Sequence, residues 1–312
     1  MEKKVLGAHV LAIITVMIWG LTFVSTKYLL ETFTPIEILF IRFFIGYIAL
    51  LLFSFHHQRM KFDIRKEILF AGAGLCGVTL YFLFENIALT YTLASNVGII
   101  VSVSPLFTAI LVSILRIGET LKINFVIGFV IALAGICLVI FNGSYTLQLN
   151  PAGDMLAVLA AAVWAVYSIL IKKLDGQGYS VAYTTRKVFF YGLILMIPAI
   201  LMMDFQISMA DFTAINTFNI LFLGLGASAL CFATWNYAVG VLGAIRVSVY
   251  IYLVPAATII ASIIILHEQV TWLAYAGTGL ILLGLYLSED RRMLSKQKKR
   301  VERSRSTVKP CQ

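Results

Sequence analysis

The sequence predicts an all-α membrane protein: ten transmembrane helices arranged as two inverted five-helix repeats, with the N-terminus and the C-terminus both cytosolic. Three observations carry this prediction. The chain of 312 residues is 61% hydrophobic and only 12% charged, about half the charged share of a soluble domain. Apolar runs of roughly 20 residues, enough to cross ~30 Å of hydrocarbon at 1.5 Å per residue, recur from residue 8 to residue 288. Marker residues of the first half return, in order, in the second. Soluble enzymes, nucleic-acid binders and disordered chains are excluded on composition alone.

The spans read as residues 8–26, 36–55, 67–89, 93–115, 123–141, 153–172, 180–203, 217–239, 243–266 and 270–288. Each must be helical, because backbone polar groups in lipid have to bond within the segment. A β-barrel would need segments of about ten residues alternating apolar and polar, and these runs are continuously apolar. Span 1 carries Thr15, Trp19, Thr22 and Thr26 at spacings of 4, 3 and 4, which is one helical face. Span 2 holds Arg42, and span 3 holds Tyr81 and Glu85. Span 4 contains Pro105 on a face with Ser95, Gly98 and Ser102. Span 5 has Gly128 and Gly135, seven apart and so on one face.

Span 6 presents Trp164, Tyr167 and Ser168, and span 7 holds Arg186 and Lys187. Span 8 ends on Trp235 and Asn236; span 9 carries Ser248, Tyr252, Pro255 and Ser262; span 10 has Gly277 and Gly284. The paired glycines suit close helix packing, so spans 5 and 10 read as scaffold or as a dimer face. Trp235 and Trp272, near span ends, read as interfacial anchors.

Charge sets the orientation. With the N-terminus inside, Lys3, Lys4, Arg59, Lys61, Arg65, Lys66, Arg116, Lys122, Lys172, Lys173, Arg246 and nine residues of the tail are cytosolic, which is 20 of the 24 Lys and Arg. The positive-inside rule selects that orientation. Residues 289–312 hold nine Lys/Arg against three Asp/Glu and so supply +6 of the net +9. A basic tail beside a membrane span faces anionic lipid and needs no nucleic-acid partner. Cys76, Cys137 and Cys231 lie in apolar runs and Cys311 in the tail, a spacing that forms neither a disulfide framework nor a zinc motif. No cleavable signal peptide is expected.

The repeat is weak in identity and strong in order. Trp19 and Lys27 match Trp164 and Lys172 at an offset of 145. Asn86, Ala88 and Pro105 match Asn236, Ala238 and Pro255 at 150; Gly128 and Gly135 match Gly277 and Gly284 at 149. Five spans per half is an odd number, so the second half enters the membrane from the opposite side. Inverted repeats of this kind can exchange conformations and expose one site to alternate sides. The domains expected are residues 1–141, residues 142–288 and a cytosolic tail at 289–312.

These features resemble the EamA family of the drug/metabolite transporter (DMT) superfamily. They are the two five-span halves, Ile18-Trp19-Gly20 followed by Lys27, Asn86-Ile87-Ala88-Leu89 closing span 3, Pro105, and Gly118-Glu119 before span 5. Trp164, Asn236-Tyr237-Ala238, Pro255 and His267-Glu268 echo them in the second half, with Ala165 departing from its counterpart Gly20. The resemblance covers residues 8–288. It implies a multi-pass carrier of the bacterial inner (cell) membrane, usually an exporter of amino acids or other small metabolites.

Charged groups within spans are costly and are functional candidates. Arg42 and Glu85 stand at matching depth near the outer ends of consecutive spans, so they are expected to pair, as a gate or responsive site or else as a structural ion pair. Arg186 and Lys187 lack a carboxylate opposite, since the position 150 beyond Glu85 is Trp235. One of them could meet a solute carboxylate or reach cytosolic headgroups. The substrate-cavity or gate candidates are thus Thr15, Trp19, Thr22, Arg42, Tyr81, Glu85, Ser102, Pro105, Trp164, Tyr167, Ser168, Arg186, Lys187, Tyr252 and Pro255. No catalytic, cofactor or metal site is expected: the sequence lacks a phosphate-binding Gly-rich loop with its Lys-Ser/Thr, a zinc-protease motif and any Cys/His cluster.

The expected function is therefore secondary transport of a small-molecule solute, with export of an amino acid favoured. The lipid bilayer is its surroundings and a homodimer is allowed by the glycine faces. A multidrug or toxic-compound efflux carrier is the alternative within the class. A polytopic membrane enzyme or lipid-processing protein is the alternative outside it. The orientation has a direct test. A membrane-impermeant maleimide should label Cys311 in inside-out vesicles and spare it in intact cells; labelling of Cys311 in intact cells would invert the topology.

Overall fold

The computed structural model describes residues 2–53, 63–115, 123–140, 151–175, 177–266 and 272–288. The basic tail, Gly118-Glu119 and His267-Glu268 lie outside the described residues. Within them the chain is helical, with no strand. The helices are α1 (Glu2–Leu29), α2 (Pro35–Phe53), α3 (Ile64–Tyr91), α4 (Ala94–Leu115), α5 (Ile123–Ile140), α6 (Pro151–Leu174), α7 (Val181–Met202), α8 (Ala214–Leu242), α9 (Ala244–Ile265) and α10 (Trp272–Ser288). Eight of them are long and apolar enough to cross a membrane. The apolar stretches of α5 and α10, Ile123–Gly135 and Tyr275–Gly284, are shorter.

Local chemistry explains where helices start and stop. Asp63 caps α3 by accepting from the Arg65 backbone N–H, Ser180 caps α7 through Tyr183, and Thr213 caps α8 through Asn216. At the other end of α3, the Lys27 ammonium donates to the Leu89 and Thr92 carbonyls at 2.6 and 3.0 Å. Its counterpart Lys172 donates to the Gly240 carbonyl at the end of α8, at 3.0 Å. A cation on the unpaired carbonyls of a helix C-terminus satisfies them and opposes the negative end of the dipole. The turn from α8 into α9 is made by Gly243 at φ +94°, a conformation a side chain would strain.

Helix packing is two-fold in pattern. α1 lies against α8 and α9, as α6 lies against α3 and α4; α2 packs on α8 as α7 packs on α3. The contacts α2 with α7, α4 with α9, and α5 with α10 join equivalents directly. Irregularities recur in register as well. π-helical turns occupy Leu75–Leu80 in α3 and Phe222–Leu230 in α8. α4 breaks at Ser102-Val103, and α9 passes through a 3-10 segment at Val249–Leu253. Pro105 and Pro255 then sit at the starts of the helical pieces Ser104–Leu115 and Val254–Ile265, where a missing backbone N–H costs no helical bond. The expected bends at these prolines are thus full interruptions of the helix.

Close approach depends on glycine at a few points. A Cβ at Gly74 would stand 2.6 Å from the Gly192 nitrogen, and one at Gly224 would stand 2.8 Å from Ile45. These are matching contacts of α3 on α7 and α8 on α2. On the α5–α10 seam, a Cβ at Gly135 would lie 2.5 Å from the Gly277 carbonyl oxygen, and one at Gly284 would lie 2.5 Å from that of Gly128. Replacing Gly284 by Val should destabilise the folded protein by about 1–3 kcal/mol through overpacking, read as a lower Tm in detergent. Gly279→Ala, which has nothing within 4 Å, should leave Tm unchanged.

Candidate functional site

Repeat-equivalent aromatic residues meet at the centre of the bundle. Trp19 and Trp164 lie edge to face at 5.1 Å, Phe43 and Phe189 at 4.9 Å, and Phe82 and Phe232 at 6.0 Å. Side chains related by the repeat can touch only near the axis that relates the halves, so these rings mark that axis. Tyr81, Tyr167 and Trp235 complete the group: Tyr81 and Tyr167 stand 4.8 and 4.9 Å from Trp164, and Trp235 stands 5.0 Å from Trp19. Trp19 keeps part of its surface accessible while Trp164 and Trp235 are buried.

The π-helical turns shape the group. Trp19 Nε1 donates to the Ala227 carbonyl at 3.0 Å, inside the π segment of α8. A π turn shifts the backbone register and leaves carbonyls open to such donors. In the π segment of α3, Thr79 donates to the Gly192 carbonyl at 2.9 Å, and Gly77 leaves room for the Tyr167 ring, which a Cβ would meet at 2.2 Å.

Arg42 and Glu85 both lie buried here, and they act on one another electrostatically. The expected ion pair is corrected by the geometry: no direct hydrogen bond joins them. Arg42 Nε donates to Ser228 Oγ at 3.1 Å, and its guanidinium lies 4.2 Å from the Phe82 ring centre and 5.3 Å from that of Phe43. Both Nη atoms of Arg42 and Glu85 Oε1 are buried without a hydrogen-bond partner. Trp164 Nε1 and Trp235 Nε1 are unpartnered too. Buried polar atoms usually find partners, so this concentration of open groups beside aromatic rings marks the site.

The other candidates divide. Thr15 hydrogen-bonds Thr234 at 2.7 Å, joining α1 to α8. Thr22, Ser102 and Ser168 donate to carbonyls of their own helices, Trp19, Ile99 and Trp164, so their hydroxyls are already engaged. Tyr167 donates to Asn236 Oδ1 at 2.6 Å, and Asn236 donates on to Thr185 at 3.0 Å. Tyr252 and Pro255 are buried in α9, and Tyr252 packs in a separate core with Phe125 and Phe129. Arg186 lies 5.4 Å from the Tyr183 ring centre.

Lys187 is not the partnerless cation the spacing implied. It bonds Glu67, which also accepts from the Tyr191 hydroxyl at 2.5 Å, and it lies 4.8 Å from the Phe70 ring centre. The search for a carboxylate by the 150-residue offset looked at position 235; the partner lies near the start of α3 instead. Trp235, expected at the interface, is fully buried in the aromatic group. Its position as the repeat counterpart of Glu85 was the available signal, together with Phe232 as the counterpart of Phe82. Ser228 carried no signal, because only the folded π turn brings it to Arg42.

The EamA-like transporter family matches the chain twice, over residues 6–141 and 151–289. An uncharacterized transporter of Archaeoglobus fulgidus is 28% identical over 283 residues, covering 90% of this chain and 96% of that protein. A probable amino-acid metabolite efflux pump of Escherichia coli strain K12 is 27% identical over 291 residues, covering 89% and 93%. One crystal structure superposes with a TM-score of 0.70 at 17% identity, covering 90% of this chain and 97% of that one, which supports the fold. With two family matches spanning both halves and a bundle of apolar helices, the chain is a multi-pass membrane protein of the EamA-like transporter family in the DMT superfamily, a transporter of small solutes and not an enzyme.

Proposed function

We propose that this protein is a secondary transporter that exports a small metabolite, an amino acid being the favoured class, by alternating access of one central site. In this reading ten helices cross the bacterial inner membrane as two inverted repeats, residues 1–141 and 142–288, with both termini and the tail 289–312 in the cytosol. The observation that carries it is the meeting of repeat-equivalent rings around buried polar atoms that lack partners. A site shared by two related halves can open to either side when the halves exchange conformations. The relative described as a probable amino-acid metabolite efflux pump supports both the direction and the solute class.

Ties between helices stand at both ends of the bundle. At one end, Lys187 and Tyr191 of α7 hold Glu67 of α3. At the other, Glu37 at the start of α2 accepts from the Gln206 backbone N–H at 2.6 Å, and Phe40 meets Phe205 at 5.6 Å. Alternating access requires that one set part while the other holds. The α5–α10 seam serves as scaffold or dimer face. A multidrug carrier fits the aromatic rings, but a buried unpaired guanidinium disfavours the lipophilic cations common among such compounds.

Purified protein in proteoliposomes should show saturable counterflow of at least one amino acid. Absence of saturable flux across the amino-acid panel, from folded protein, would remove this reading. Repeating the assay with and without a pH gradient separates proton coupling from facilitated diffusion. The tie at Glu67 is half-exposed and worth about 1 kcal/mol, so Lys187→Met should shift the population toward the state open on that side about five-fold. In a Cys311→Ser background this reads as faster maleimide labelling of the half-buried Cys76; an unchanged rate would exclude the tie as a gate.

A further inference from the structure

We infer that Arg42 and Glu85 select the solute by its two charges, Arg42 taking a carboxylate and Glu85 an ammonium, so that a zwitterion with an apolar or aromatic side chain is preferred over either singly charged analogue. This rests on the aromatic group being the transport site.

The geometry holds two opposite charges near each other and apart. Free to move, a buried guanidinium and carboxylate would close into a direct pair, since their attraction is strong where water is scarce. Here the Arg42 Nε bond to Ser228 and the flanking Phe82 and Phe43 rings hold the guanidinium away. Tyr81, one turn before Glu85, contributes its hydroxyl to the carboxylate's electrostatic surroundings. What remains open is a matched set. The two Nη atoms form the fork that receives the two oxygens of a carboxylate, and Glu85 Oε1 is an acceptor with nothing donating to it.

The inventory of open groups sharpens the class. Arg42 Nη1 and Nη2 with the indole N–H groups of Trp164 and Trp235 are donors; Glu85 Oε1 is the acceptor among them. More donors than acceptors suits a solute with an anionic end and a smaller cationic one. The faces of Trp19, Trp164 and Phe232, packed 5.1 to 5.9 Å apart, offer apolar surface to the rest of the molecule. A site built to meet a charged group rejects the analogue that lacks it, because its own buried group is then left unpaired. The two halves contribute unequally: Glu85 has Trp235 as its counterpart, so the charged recognition comes from the first half and the second supplies rings and Ser228.

The test is competition for counterflow of labelled phenylalanine in proteoliposomes. The competitors are phenylalanine, phenethylamine, which lacks the carboxylate, and 3-phenylpropionate, which lacks the ammonium. Wild type should bind each analogue at least ten-fold more weakly than phenylalanine. Arg42→Gln should weaken phenylalanine and 3-phenylpropionate about a hundred-fold while leaving phenethylamine within a few-fold; Glu85→Gln should do the converse. Equal competition by all three compounds in wild type, or an equal loss of all three in Arg42→Gln, overturns the inference. If Arg42→Gln does not fold, the wild-type competition series decides alone. Saturable flux only of uncharged solutes overturns the charge selection and leaves the carrier reading standing; no saturable flux of any solute removes both.

Discussion

Every backbone group set loose inside this bundle has to find a donor or acceptor from protein, because lipid offers none. The helices are interrupted at equivalent places in both halves, and the breaks are answered by side chains from elsewhere. Trp19 of α1 closes on Ala227 in α8, Thr79 of α3 on Gly192 in α7, Thr258 of α9 on Gly20 in α1, and Lys27 of α1 on the end of α3. Several of these bonds cross between the first and second halves. The interruptions therefore fasten the halves together as well as shaping the centre.

The same constraint gives the unanswered groups their meaning. Most buried hydroxyls of the bundle are satisfied, often by a carbonyl of their own helix, as at Ser102, Ser104, Ser168 and Ser248. Against that background, a guanidinium with two open nitrogens and two buried indoles with open N–H groups stand out. They lie among rings brought together from both halves. Charge elsewhere is discharged locally: Lys187 on Glu67, Lys172 on Asp175 and Gly240, Glu37 on two backbone N–H groups. Arg42 is held by one hydroxyl and two aromatic faces.

Symmetry explains both the economy and the asymmetry of the centre. Glycine seats at Gly74 and Gly224 let α3 meet α7 and α8 meet α2 in the same way. Yet the residues at the centre are not copies. Glu85 faces a counterpart Trp235, and Gly20 faces Ala165, which is why a Cβ at Gly20 would stand 2.4 Å from Ala257 while the other half accommodates a methyl group. A symmetric scaffold with an asymmetric lining can keep a two-way motion and still bind an asymmetric solute.

The sequence by itself determined the helical membrane class, the recurrence of the halves and the paired aromatics, because hydrophobic run length, repeat offset and helical spacing are all local or periodic properties. It placed Trp19, Trp164, Tyr81, Tyr167, Arg42 and Glu85 among the candidates, and these do come together. Only the tertiary structure decided who touches whom. Glu67 lies far from Lys187 in sequence and outside the repeat register, so no spacing rule leads to it. Trp235 near a span end looks like an anchor until α1 is seen to cover it. Ser102 and Ser168 share faces with site residues, yet bond their own helices. Arg42 and Glu85 match in depth, but depth along a helix does not fix the rotation and side-chain support that hold the two charges apart. Those are long-range packing facts, set by where α8 lies against α2.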